Sequence, residues 1–170
     1  KASLACYILG GILLAFNENL SILSICLAAL LFIAQALYIL KKRVRKAYDY
    51  WNVNIVLSLV ALLGAAIFIA LGKLNLAAYF LIYGFLFAFI VAHLYKIAPF
   101  LIWYHYVAPF VGKVKVPLLD AMILKKIAYF GIAFNAISLL CYLLSTCFEL
   151  EILVQAGMIF IALSIVLLSI

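Results

Sequence analysis

Long uninterrupted runs of apolar residues are the feature of this sequence that most limits its possible folds. Residues 19–40 and 53–72 contain no charged side chain. Each run is about as long as the roughly 20 residues that an α-helix needs to cross a hydrocarbon core about 30 Å thick. Because the runs lack the alternating polarity of barrel strands, and lipid offers no hydrogen-bond partners to backbone amides, they predict transmembrane helices.

Composition agrees with this prediction, since 72% of the residues are hydrophobic and 10% are charged, against about 45–50% and about 25% in soluble domains. The expected fold is an all-α, polytopic membrane helix bundle that forms a single domain over residues 1–170. The candidate spans are about 2–16, 20–40, 53–72, 75–95, 127–147 and 150–170. The first span is short, the chain starts at Lys1, and the last span reaches Ile170 with no polar tail. We therefore expect the chain to be part of a longer polypeptide.

The basic residues predict an orientation, because lysine and arginine collect in cytoplasmic loops. With six spans, all but one of the basic residues fall on one side: Lys1, Lys41, Lys42, Arg43, Arg45, Lys46, Lys96, Lys113, Lys115, Lys125 and Lys126. Only Lys73 falls on the other side. The loops at 41–52 and 96–126 are therefore predicted to face the cytoplasm.

The basic cluster directly after the second span consists of Lys41, Lys42, Arg43, Arg45 and Lys46. Its simplest role is to anchor that span at the cytoplasmic surface. Binding of anionic lipid or of a partner uses the same charges, so these five residues are the candidate lipid or partner contacts. Basic loops beside a membrane also explain the net charge of +7, and we expect no nucleic-acid partner.

Polar side chains within the spans are few and uncharged. They are Ser24, Gln35, Ser58, Asn135, Ser138, Gln155 and Ser164. Hydrogen bonds between helices are their simplest role, and a solute site formed by Gln35, Asn135 and Gln155 is the alternative. The four cysteines show no C-x-x-C spacing, and no phosphate-binding glycine loop or nucleophile elbow occurs. No catalytic residue is therefore predicted, and the sequence leaves open whether the protein is an enzyme.

Chemically distinctive residues are concentrated in residues 93–117, which include both histidines and all three prolines. Pro99 disfavours helical geometry at Ala98 and removes an amide donor. The fourth span is therefore expected to kink or end near Tyr95.

The aromatic residues beyond this point are typical of the headgroup level of a bilayer. Trp103, Tyr104 and Tyr106 surround His105 in a stretch without net charge. Tryptophan and tyrosine prefer the membrane interface, where one end of the ring is dry and the other is wet. The sequence therefore predicts an interfacial or re-entrant segment over residues 97–111.

His93 and His105 are the strong nitrogen ligands of the chain for a haem iron or copper. A position at the headgroups, or a hydrogen bond to a neighbouring carbonyl, is the competing interpretation for each.

The string IVAHLYK, residues 90–96, resembles the V-A-H-x-H-Y segment on the tenth helix of haem–copper oxidase subunit I. In that family two histidines, one residue apart, ligate the two haems. The resemblance implies that His93 is the axial ligand of the haem beside copper. Tyr95 stands at the position of the second histidine, so the low-spin haem site is absent. Copper in that family takes three histidines, and the first span here contains none.

A longer string, HLYKIAPFLIWYH, is followed by GKVKVP and preceded by RKAYDYW at residues 45–51. Together they are similar to a pattern in bacterial polytopic membrane proteins of uncharacterised function, distantly related to that subunit. This similarity implies a bacterial cytoplasmic (inner) membrane. It also implies partners among other membrane subunits or the missing part of the same chain.

Two functions from different classes follow as expectations. One is a membrane subunit of a redox or respiratory-type assembly, in which His93 or His105 binds haem or lines a quinone site beside Trp103, Tyr104 and Tyr106. The alternative is a non-catalytic scaffold or anchor subunit that docks partners or lipid through its basic and aromatic loops. Solute transport is a third and less favoured interpretation.

Overall fold

The computed structural model of the protein describes residues 2–13, 18–43, 49–112, 116 and 122–168. These residues form six helices and no β-strand. The helices are α1 (Ala2–Leu13), α2 (Glu18–Lys42), α3 (Tyr50–Ala70), α4 (Leu74–Phe110), α5 (Lys125–Phe148) and α6 (Glu151–Leu168). The all-α prediction is confirmed for the described part of the chain.

Five of these helices, α2 to α6, are long and apolar enough to cross a membrane. The exception is α1, whose 12 residues rise only about 18 Å. Residues 14–16 of the first predicted span lie outside the described residues. The described part of the chain therefore contains five helices of spanning length, whereas the sequence predicts six spans.

The central helix of the bundle is α3, which packs against α2, α4 and α5. Its buried side chains include Ile55, Leu59 and Leu62. The last two helices, α5 and α6, are joined by the turn at Glu149 and Leu150 and pack along each other. The first helix, α1, packs along α2.

Aromatic contacts show how the helices align at the two ends of the bundle. At one end the ring centroid of Tyr50 lies 5.4 Å from that of Tyr95 and 6.4 Å from that of Tyr129. At the other end the rings of Tyr79 and Tyr142 stack at 3.9 Å. The end with Tyr50 is named the basic end after its described cations, Lys41, Lys42, Arg43, Lys96, Lys125 and Lys126.

A glycine lets α3 and α4 approach each other closely. A Cβ atom added at Gly84 would lie 2.5 Å from the Cβ of Ala61. Gly84 belongs to a π-helical stretch of α4, Phe80–Phe87, in which the hydrogen bonds run from i to i+5. Small residues at such crossings are how membrane helices gain close van der Waals packing.

Two serines join helices through hydrogen bonds, as the sequence predicts. The Oγ of Ser138 donates to the carbonyl oxygen of Gly157 at 2.8 Å. This bond uses the hydroxyl proton of Ser138. The Tyr79 hydroxyl, 2.7 Å from the Ser138 oxygen, therefore donates to it. The Oγ of Ser164 donates to the carbonyl oxygen of Gly131 at 2.8 Å. These bonds connect α4, α5 and α6 inside the bundle.

The prediction that the fourth span kinks or ends near Tyr95 is wrong about the end, because helical backbone continues through Pro99. The later part of α4 is α-helical over Ala88–Ile102, π-helical over Trp103–Val107 and 3₁₀ over Ala108–Phe110. Proline is tolerated in membrane helices where neighbouring turns adjust to π or 3₁₀ geometry and satisfy the freed backbone groups.

The prediction of an interfacial or re-entrant segment over residues 97–111 stays a prediction, and residues 97–110 are continuous with the fourth helix. They are its C-terminal part, named here the α4 extension. With 37 residues, α4 is about 55 Å long, which exceeds a hydrocarbon core of about 30 Å.

Candidate functional site

His93 lies on α4 near the basic end, half-buried among aromatic rings. Its ring centroid is 4.5 Å from that of Phe89 and 6.5 Å from that of Trp51. Its Nδ1 is 2.7 Å from the carbonyl oxygen of Phe89. Because a carbonyl only accepts, Nδ1 carries a proton and donates it to this oxygen, and Nε2 takes no part in the bond. The predicted hydrogen bond to a neighbouring carbonyl is confirmed for His93.

The other predicted cofactor residues, Trp103, Tyr104, His105 and Tyr106, lie on the α4 extension. The ring centroid of Tyr104 is 5.5 Å from that of His105 and 6.2 Å from that of Phe100. Tyr106 is 74% exposed, and His105 is exposed as well. These contacts join rings that are neighbours along one helix, so the aromatic side chains form a surface of that helix.

The structure does not bring His93 and His105 together. They lie twelve residues apart on one helix, a rise of about 18 Å, so they do not flank one iron. Among the described residues, no group of three or more His, Cys, Asp or Glu side chains is placed to hold a metal ion. Haem ligation by a single histidine stays a prediction.

Trp51, which the sequence analysis did not select, organises the basic end. The Nζ of Lys96 lies 3.6 Å from the centroid of its ring, a distance typical of a cation–π contact. Trp51 sits in the first turn of α3, which Asp49 caps by accepting from the backbone N–H of Asn52 at 3.1 Å. The contact with Lys96 thus holds the start of α3 against α4.

The predicted lipid or partner contacts are only partly described. Lys41 and Lys42 are exposed at the end of α2, and the Nζ of Lys42 lies 4.7 Å from the ring centroid of Tyr38. Arg43 instead donates from Nη1 to Oδ1 of Asn52, which ties the end of α2 to α3. Arg45 and Lys46 lie outside the described residues.

An apolar groove of about 480 Å³ lies near the basic end, between α4, α5 and α6. Tyr95 and Ala98 of α4, Ile127 and Ala128 of α5, and Leu168 of α6 are among its walls. No charged side chain of the described residues lines it.

A small polar cavity adjoins this groove, since Tyr95, Ala128 and Leu168 line both. It has a volume of about 10 Å³ and lies beside Asn54 and Asn135, which are 2% and 1% exposed. Among the described residues, Nδ2 of Asn54 and both Nδ2 and Oδ1 of Asn135 have no hydrogen-bond partner. Unpaired buried amides of this kind are rare in native proteins.

The predicted solute site of Gln35, Asn135 and Gln155 is not formed. The side chains of Gln35 and Gln155 are exposed on α2 and α6, whereas Asn135 is buried. Asn135 shares its cavity with Asn54 instead, a residue that the sequence analysis did not select. The only sequence signal at Asn54 is an amide just inside an apolar run.

No family model matches the chain, and no curated protein or solved structure matches it significantly. The resemblance to haem–copper oxidase subunit I around His93 therefore stays a prediction.

Proposed function

We propose that the protein is an integral membrane helix bundle of a bacterial cytoplasmic membrane, with its basic end in the cytoplasm. Every helix of spanning length exposes large apolar side chains, for example Ile39, Val60, Ile90, Leu140 and Ile152. A soluble bundle presents polar outer faces to water, whereas lipid is a solvent for such apolar surfaces. The cations of the basic end support this orientation, because lysine and arginine collect on the cytoplasmic side of membrane proteins.

Cysteine labelling tests the orientation. In a background without the native cysteines, we expect Lys42→Cys to react with a membrane-impermeant maleimide only in inside-out vesicles. Lys73→Cys, in the turn between α3 and α4, should react only in intact spheroplasts. The reversed pattern would overturn the orientation, and labelling of both residues from both sides would overturn the membrane placement.

Within this membrane, we propose that the protein is a non-catalytic anchor or scaffold subunit, held at the cytoplasmic leaflet by the α4 extension and the exposed lysines of α2. One observation supports this role above the others. Beyond Lys96, α4 continues for 14 residues without a lysine, arginine, aspartate or glutamate, and it exposes Ile97, Phe100 and Leu101. An apolar helix that starts at headgroup level and carries tryptophan and tyrosine is suited to the membrane interface.

Trp103 offers a direct test of the anchor. In a Trp51→Phe background reconstituted into liposomes, we expect brominated acyl chains to quench Trp103 fluorescence and aqueous iodide to quench it weakly. The matched control is Trp103→Phe with Trp51 retained, in which the quenching of Trp51 at the basic end is measured. Strong iodide quenching without bromine quenching would show that the extension stands in water, and would overturn lipid anchoring.

His93 supports a second candidate function, the haem-binding redox subunit that the resemblance implies. Its Nδ1–H is bonded to a backbone carbonyl oxygen, the arrangement that is usual for histidines that ligate a metal through the other ring nitrogen. The test is a reduced-minus-oxidised optical spectrum of the full-length protein and of its His93→Ala and His105→Ala variants. A stoichiometric haem band lost only in His93→Ala would support this role. A folded protein without a haem band would overturn it.

A further inference from the structure

We propose that the groove and the polar cavity together bind an uncharged membrane amphiphile of the quinone class, with one carbonyl oxygen of its head held by Asn54 and Asn135. This site goes beyond the anchor function and does not depend on it. It is also separate from the exposed aromatic surface around His105, where the sequence predicts a quinone.

The unpaired amides indicate the chemistry of the head group. Nδ2 of Asn54 and Nδ2 of Asn135 are buried donors without acceptors among the described residues. A carbonyl oxygen has two lone pairs and accepts from two donors at once. A ligand that supplies such an oxygen removes the unfavourable burial of both N–H groups, while Oδ1 of Asn135 keeps its lone pairs unused.

The volumes indicate how the ligand divides between the two spaces. At about 10 Å³, the cavity admits one oxygen-sized group, about the space that a single water needs. At about 480 Å³, the groove lies within the range of roughly 300–1,000 Å³ that is usual for small-molecule sites. The proposal places the carbonyl oxygen of a flat ring in the cavity and the ring itself in the groove.

The groove walls indicate an uncharged and apolar body. Binding of a phospholipid head relies on lysine or arginine, and the described lining residues include neither. Tyr95 lines both spaces and provides an aromatic face for a ring. Because the groove lies beside exposed parts of α4, such as Ala98, an isoprenoid tail can leave it toward the bilayer.

Calorimetric titration of the purified full chain in detergent with decylubiquinone tests the proposal. We expect saturable binding at one site. Asn54→Leu and Asn135→Leu should each weaken it about tenfold, the effect of losing one hydrogen bond to a buried donor. Leucine is close to asparagine in shape and removes an unpaired amide, so these variants are expected to fold. Gln155→Leu, which changes an exposed amide on α6, is the matched control and should bind like the wild type.

A second pair of variants tests the groove without touching the buried amides. Ala98→Trp fills the groove wall and should abolish binding, whereas Ile97→Trp, at the neighbouring exposed position outside the lining, should not. Because both tryptophan variants keep Asn54 and Asn135, they test binding in the groove even if a leucine variant fails to fold.

Three results would overturn the proposal. They are the absence of saturable binding by the folded wild type, equal affinity in both asparagine variants and the wild type, and displacement of decylubiquinone by phosphatidylglycerol. The last result would assign the groove to a lipid. None of these results affects the labelling and fluorescence tests of the anchor function.

Discussion

Gly84→Ala is expected to destabilise the bundle by about 1–3 kcal/mol, the usual cost of overpacking a core. The new methyl carbon would lie 2.5 Å from the Cβ of Ala61, well inside the optimal carbon–carbon separation of about 3.5–4.0 Å. Because the obstacle is attached directly to the backbone of α3, the two helices must move apart. The free energy of unfolding in mixed micelles, followed by circular dichroism during titration with SDS, measures the effect.

Two further variants make this test specific to the crossing of α3 and α4. Gly11→Ala places a methyl group where nothing lies within 4 Å, and it should leave stability unchanged or raise it slightly through helix propensity. Adding Ala61→Gly to Gly84→Ala moves the methyl group from one helix to the other and should restore most of the lost stability. A Gly84→Ala protein as stable as the Gly11→Ala protein would contradict the close approach.

Tyr79→Ala is expected to cost about 3 kcal/mol or more, as truncation of a buried aromatic residue usually does. Tyr79 is buried, its ring stacks on Tyr142 at 3.9 Å, and its hydroxyl donates to Ser138. Tyr79→Phe removes only the hydrogen bond and should cost about 0.6 kcal/mol, the average for such bonds in a membrane protein. The same unfolding titration separates the two contributions.

The control for this prediction is Tyr106→Ala, because Tyr106 is 74% exposed and its truncation should change unfolding little. If Tyr79→Ala and Tyr79→Phe were equally stable, the ring of Tyr79 would contribute nothing to packing, and the stacked contact with Tyr142 would be refuted.

The helices were predictable because length and apolarity are local properties of a sequence. The runs at 20–40 and 53–72 correspond to Glu18–Lys42 and Tyr50–Ala70 within a few residues. The end of α4 was not predictable in this way. The proline rule that places a helix end near Pro99 is based on the loss of one amide donor, yet helical backbone continues past Pro99 to Phe110.

The candidate sites were less predictable than the helices, since they depend on contacts between helices. Gln35, Asn135 and Gln155 look alike in the sequence, yet only Asn135 faces the interior. Asn54 is far away in the chain and lines the same cavity as Asn135 only because α3 packs against α5. The hydrogen bond from His93 to Phe89 joins residues four apart, and that local arrangement could be expected from helix geometry alone.

The unbroken course of α4 joins the α4 extension directly to the wall of the groove. Ala98, Pro99 and Ile102 belong to the extension and also line the groove, so a tilt of the extension also moves this wall. The tight crossing at Gly84 and Ala61 holds the earlier part of α4 against α3. A lipid or partner that seats the extension at the membrane surface therefore also contacts the helix that forms one wall of the groove beside Asn54 and Asn135.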